Sequence, residues 1–77
     1  MPIYHTRLIN SDFDTQDDGA FHENADAASK AAILAAAEIA TELLAKGEQL
    51  PHIEVIISED EVVVARHVVT LSVAHLD

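Results

Sequence analysis

The segment that most constrains this chain is 24–47, N-A-D-A-A-S-K-A-A-I-L-A-A-A-E-I-A-T-E-L-L-A-K-G, which carries its own start signal, stop signal and alanine-rich interior. Alanine loses no side-chain entropy on entering a helix and ranks first among helix formers. Asn24 can accept from the first free amides, and Asp26 sits where the helix dipole favours negative charge. Lys46 sits where the dipole favours positive charge, and Gly47 can take the left-handed cap conformation. The pattern predicts one long helix between two segments that read as β-structure.

At 3.6 residues per turn, Ala25, Ala28, Ala32, Ala36, Ile39 and Leu43 form one stripe, with Ile33, Ala40 and Leu44 at its flank. That stripe is expected to be buried. The opposite side carries Lys30, Glu38, Thr41 and Glu42, but also Ala27, Ala31, Leu34 and Ala45. Two readings are open there. Alanine can be present for helix propensity alone, or Leu34 with the small residues Ala27 and Ala31 can let a second subunit approach closely.

The segment before the helix begins with P-I-Y-H-T-R-L-I over 2–9, which alternates as a strand with Tyr4, Thr6 and Leu8 on one face. Tyr4 and Leu8 are expected to face the helix, leaving Ile3 and Ile9 in need of other cover. The polar stretch N-S-D-F-D-T-Q-D-D over 10–18 ends at Gly19, a strong turn signal. A short strand is expected at 12–16 or around 20–22, with Phe13 and Phe21 anchoring this excursion to the core.

After the helix, 52–58 alternates Ile53, Val55 and Ile57 against Glu54, Ile56 and Ser58, the pattern of a strand. Glu59, Asp60 and Glu61 form an acidic turn, and 61–73 is a long β-branched run. Val63, Ala65, His67, Val69, Leu71 and Val73 occupy its odd positions, while Val62, Val64 and Val68 make the even face apolar too. Thirteen residues exceed the usual strand length of about five or six. The run therefore bends or bulges near 65–67, or its far half pairs with another chain. Left at an edge, such a strand is an aggregation hazard, so burial by a partner is expected. The fold class is α+β: one long helix on a small, mainly antiparallel sheet in β-β-α-β-β order, the second strand short or absent, forming one domain over 1–77.

Composition narrows the functional classes. Fourteen acidic against four basic residues give a formal charge of −10. Four scattered cations, Arg7, Lys30, Lys46 and Arg66, cannot neutralise a run of phosphates, so nucleic-acid binding is disfavoured. The charge favours a basic protein partner or divalent cations. A chain of this length buries only roughly 60% of the surface it exposes when unfolded, and with no cysteine it has no disulfide or thiolate zinc staple. Packing or homodimerisation is left to stabilise it. No basic N-terminus with an apolar run and no apolar stretch near the ~20 residues of a membrane helix is present, so a cytoplasmic protein without membrane association is expected.

Three constellations bear on chemistry. Asp14, Gln16, Asp18 and Gly19 imitate the opening of a calcium loop, but the twelfth position is Ala25 instead of a bidentate Glu, so Asp14 and Asp18 are only weak metal candidates beside an Asx-rich turn. The five histidines His5, His22, His52, His67 and His75 include no pair at short ligand spacing, although His5 and His67 can meet if their strands are neighbours. Ser11, Ser29, Ser58 and Ser72 lie in no nucleophile elbow, and with two glycines there is no phosphate-cradling loop. An enzyme, a catalytic residue and a cofactor are therefore not expected.

The opening Met1-Pro2-x-Tyr4, the Asp17-Asp18-Gly19 turn, the alanine-rich helix ending in Lys46-Gly47, Ile53-Glu54-Val55 and a final valine-rich strand together resemble a family. They are similar to the short, uncharacterised proteins of rhizobia and related proteobacteria that open M-P-R-Y-F-F and carry a domain-of-unknown-function label. Ile3, His5 and Thr6 depart from that opening, and Glu59-Asp60-Glu61 lacks the family's Asp-Gly turn. The resemblance implies a bacterial protein with this fold outline and transfers no active-site residue. A second likeness is to HicB-type antitoxins, whose helix ends near a G-E-x-L-P segment as Gly47-Glu48-Gln49-Leu50-Pro51 does, without the Pro/Cys signature that precedes it or a following DNA-binding module. Three functions follow as expectations: an acidic interaction or regulatory module acting as a homodimer, an antitoxin-like neutraliser of a basic partner, and a divalent-cation binder. The interface residues expected for the first are Leu34, Ala27, Ala31, Val62, Val64 and Val68.

Overall fold

In the computed structural model, which describes residues 2–76, the alanine-rich segment forms one helix, α1 (Ala25–Ala45). Asn24 is its extended N-cap, accepting at Oδ1 from the Ala27 amide at 2.8 Å, and Asp26 lies in the first turn. Lys46 is the C-cap, and Gly47 takes φ +105°. The Gly47 and Glu48 amides donate to the Leu44 and Leu43 carbonyls, both at 3.0 Å, the two bonds of a Schellman cap. Only a residue tolerant of positive φ closes the helix in this way.

The remaining segments form a single antiparallel sheet of β1 (Ile3–Ile9), β2 (Asp14–Gln16), β3 (Ala20–Phe21), β4 (His52–Glu59) and β5 (Val62–Thr70). The strand order is β2-β1-β4-β5, with β3 beside β1 on the same edge as β2. The fold is α+β with the helix packed on one face of the sheet. Both alternatives for a short strand before the helix are realised, giving β-β-β-α-β-β order.

Four alanines at four-residue spacing, Ala28, Ala32, Ala36 and Ala40, are at most 4% exposed and lie against Tyr4, Ile53, Val55 and Ile57. Small side chains on the helix let the β-branched row of β4 stand fully buried beneath it, each such residue contributing about 1.5–3 kcal/mol. Ala40 belongs to the centre of this stripe and not to its flank, whereas Ile39 packs at the margin of the core. Ser29 is buried as well, where the sequence pattern offered only apolar residues. Tyr4 and Leu8 face the helix as expected, and Phe13 packs against the core. Phe21 does not: it is 65% exposed and lies outside the core, held by its pairing with Ile3.

The β4–β5 hairpin departs from expectation at two points. Its bulge falls where Ile57 pairs Ala65 but Ser58 pairs Val63, so Val64 is the extra residue, earlier than 65–67. The bulge reverses the alternation, turning Val63 away from the helix-facing row of Ala65, His67 and Val69. The regular strand ends at Thr70.

Candidate functional site

The sheet has two edges, and the sequence treats them differently. On the β1 side, the edge is broken into the polar β2 and the two-residue β3, Ala20–Phe21, with a polar residue between them. Asp17 fills the gap, its amide donating to the Thr6 carbonyl at 3.0 Å and its Oδ1 accepting from the Thr6 and Gly19 amides at 3.0 and 3.1 Å. Arg7 Nε donates to Asp14 Oδ1 at 2.8 Å and Nη2 donates to Oδ2, a two-point ion pair across the strands. The hydrogen bonds to Asp14, with its charge behind them, hold the Arg7 guanidinium above its usual range. The same bonds hold the Asp14 carboxyl below the usual carboxylate range. Short strands and charges are the ordinary means of blunting a sheet edge.

The other edge, β5, is nine residues long and has less of this protection: one charge, Arg66, and the bulge at Val64. Its Val62, Val63, Val64 and Val68 are 62, 52, 41 and 59% exposed. The Leu71 amide donates to the Pro51 carbonyl at 3.1 Å, which fixes the hydrogen-bonding phase of the ladder. Because antiparallel pairs alternate between bonded and non-bonded, Val69, His67 and Ala65 direct their backbone groups to β4. Arg66, Val68 and Thr70 direct theirs outward. Residues 62–76 contain no carboxylate, although the whole chain carries fourteen. The β5 edge is thus a long, valine-rich border whose single charged side chain is Arg66, in a strongly acidic molecule.

Of the interface residues expected from sequence, Val62, Val64 and Val68 lie exposed on this strand, Val62 and Val64 beside the hairpin turn and Val68 further along. Leu34 is 68% exposed on the outer helix face, distant in role from β5. Ala31, three residues before it, is exposed as well, and Ala27 is half-buried. Ala31 also helps to floor a groove of about 330 Å³ with Ala32 and Ala35, walled by Thr6, Gln16, Asp17 and His22. The His22 ring lies 6.2 Å from that of Tyr4, tilted by 55°. Burial of Tyr4, and then the Glu59 charge, push its phenol up from the ordinary value.

Asp14 is engaged by Arg7, and Asp18 is exposed in the loop beyond it. Among the described residues no three His, Asp or Glu side chains converge as metal ligands would. His5 and His67 do not meet: β4 lies between their strands, and His67 turns to the helix side, where its Nε2 is 3.0 Å from Ser29 Oγ. That pair joins residues 38 apart in sequence, and no local signal announced it. The Arg7–Asp14 pair was likewise hidden until the β1–β2 register was known, whereas Asp17 stood within a recognisable Asp-Asp-Gly turn.

No helix of the described residues is long and apolar enough to cross a membrane. Comparison of the chain with protein-family models, curated proteins and solved structures gives no match.

Proposed function

We propose that this chain is a non-enzymatic acidic interaction module that acts as a homodimer and presents its carboxylates to a basic protein partner. The observation that carries the reading is the β5 edge, long and valine-rich with Arg66 as its one charge, opposite an edge that is broken and ion-paired. The size of the core supports it. Among the described residues the core cluster holds eight buried apolar residues, four of them alanines, with Pro51 buried besides, while Ile3, Leu34, Val62 and Val68 remain exposed. The formal charge of −10 supports the basic partner, since complementary potentials accelerate encounter and exclude like-charged competitors. Light scattering across a micromolar concentration series tests the dimer. A mass of two chains is expected, and a monomer persisting at high micromolar concentration overturns the proposal.

A further inference from the structure

We infer that two copies of this chain join edge to edge through β5, antiparallel about a two-fold axis passing beside Val68, so that the two sheets become one. The inference rests on the homodimer reading and specifies its geometry. The outward amides and carbonyls of a sheet edge are a template for another strand, and an antiparallel two-fold pairing sets one residue opposite itself. Arg66, Val68 and Thr70 already aim their amides and carbonyls outward, as derived from the Leu71–Pro51 bond. The second copy is the occupant that charge admits: residues 62–76 hold no carboxylate and one cation, Arg66, and the acidic side chain beside the proposed axis, Glu54 opposite Val68, stands one strand back on β4 with its charge near Arg66, so two chains of formal charge −10 meet here with little direct repulsion.

The side chains choose the register. Centring on Arg66 sets two guanidinium groups directly opposite, which repels. Centring on His67 sets two imidazoles opposite each other in the narrow non-bonded pair, against the side chains that each already gives to Ser29. Centring on Val68 brings together two valines that are each 59% exposed and places Arg66 across from Thr70. It also keeps the pairing within the regular strand, beyond the bulge at Val64. Both helices then lie on the same side of the joined sheet.

Because the chain has no cysteine, single substitutions read the register directly. In a hydrogen-bonded antiparallel pair the Cα atoms are about 5.5 Å apart, within the span of a disulfide. Under mild oxidation with oxidised glutathione, Val68→Cys is expected to form a disulfide-linked dimer, while Arg66→Cys, His67→Cys and Leu34→Cys stay unlinked. An equimolar mixture of Arg66→Cys and Thr70→Cys is expected to link only as the mixed dimer. In the unsubstituted protein, hydrogen exchange at the Arg66, Val68 and Thr70 amides is expected to slow as concentration rises. Self-linkage of Arg66→Cys or His67→Cys without Val68→Cys overturns the register. A dimeric mass with no β5 linkage and no such protection overturns the edge pairing and leaves the dimer standing. A monomeric mass overturns both.

Discussion

Asp17 Oδ1 accepts the Thr6 amide at 3.0 Å and takes the place of a backbone carbonyl in the ladder beside β1. The same oxygen accepts from Gly19 at 3.1 Å, while the Asp17 amide donates to the Thr6 carbonyl. One residue, through its side chain and its amide, therefore satisfies the Thr6 backbone where β2 has ended and β3 has not begun. Asp17→Ala is expected to lower stability by about 0.5–1.5 kcal/mol, with water taking over part of the lost bonding at this exposed site. Asp17→Asn keeps an acceptor and is expected to lose less. Urea unfolding of the three proteins measures the difference, and equal midpoints for alanine and aspartate would remove this role.

Gly19 and Gly47 both have positive φ, +98° and +105°, yet their surroundings separate them. A Cβ on Gly19 would come 2.9 Å from Ile3 Cγ2 and 3.0 Å from His5 Nε2, whereas one on Gly47 meets nothing within 4 Å. Gly47→Ala is expected to cost about 1 kcal/mol from backbone strain alone. Gly19→Ala is expected to cost more, because Ile3 and His5 on β1 must also move. Thermal unfolding of the two variants ranks them, and a larger loss at Gly47 would contradict this account.

The β4–β5 turn runs through Asp60 and Glu61 with φ +50° and +67°, both left-handed. A two-residue hairpin loop of this hand suits Asn-Gly or Asp-Gly, and a Glu at its second position is strained. Glu61→Gly is expected to stabilise the protein by about 0.5–1 kcal/mol despite the entropy glycine adds to the unfolded chain. A lower melting temperature for the variant would show that the turn is held by other contacts.

The local signals in the sequence were sufficient for the elements and insufficient for their neighbours. Asn24 and Gly47 bracket the helix because capping depends on a few adjacent residues, and β4 was legible because Ile53, Val55 and Ile57 alternate cleanly. β5 was not, because valines occupy both its faces and periodicity cannot place a bulge among them; Val63 accordingly turned out on the opposite side from Ala65. Pairing across the sheet is a long-range property, so β4 intervening between His5 and His67 had no trace in the spacing of those residues. The same holds for the candidate surface. Exposure of Val62, Val64 and Val68 followed from the apolar run, but which edge was left less protected depended on Asp17 and Arg7 closing the other one.

The Arg7–Asp14 pair gives the protein one contribution to acid sensitivity with a defined sign. Hydrogen bonds from Arg7 lower the Asp14 pKa in the fold. Stability from a depressed carboxylate is fully present above its unfolded value of about 3.9 and is lost as pH falls through the lower folded value. Both side chains are about half exposed, so solvent and salt weaken the pair. Asp14→Asn is expected to flatten the loss of stability on that acid limb and leave the neutral-pH salt dependence smaller. Urea midpoints from pH 6 down to pH 2 test it, and an unchanged acid limb would show that other carboxylates govern it.

Ser29 and His67 tie α1 to β5 through a contact of 3.0 Å between Oγ and Nε2, with Ser29 only 7% exposed. Breaking such a pair from one side leaves a polar group in a largely apolar setting, whereas replacing both partners removes the demand altogether. His67→Val is expected to cost about 1 kcal/mol because the Ser29 hydroxyl loses its partner beneath the helix. Ser29→Ala is expected to cost less, since alanine regains a few tenths of a kcal/mol of helix propensity and the half-buried imidazole keeps access to water. The double variant, with valine and alanine facing each other beside Ala65 and Val69, is expected to return to the parent stability or exceed it. A double-mutant cycle in urea measures the coupling, expected at about 0.5–1.5 kcal/mol. Strict additivity of the two substitutions would show that the hydroxyl and the imidazole lie close without holding the helix to the strand.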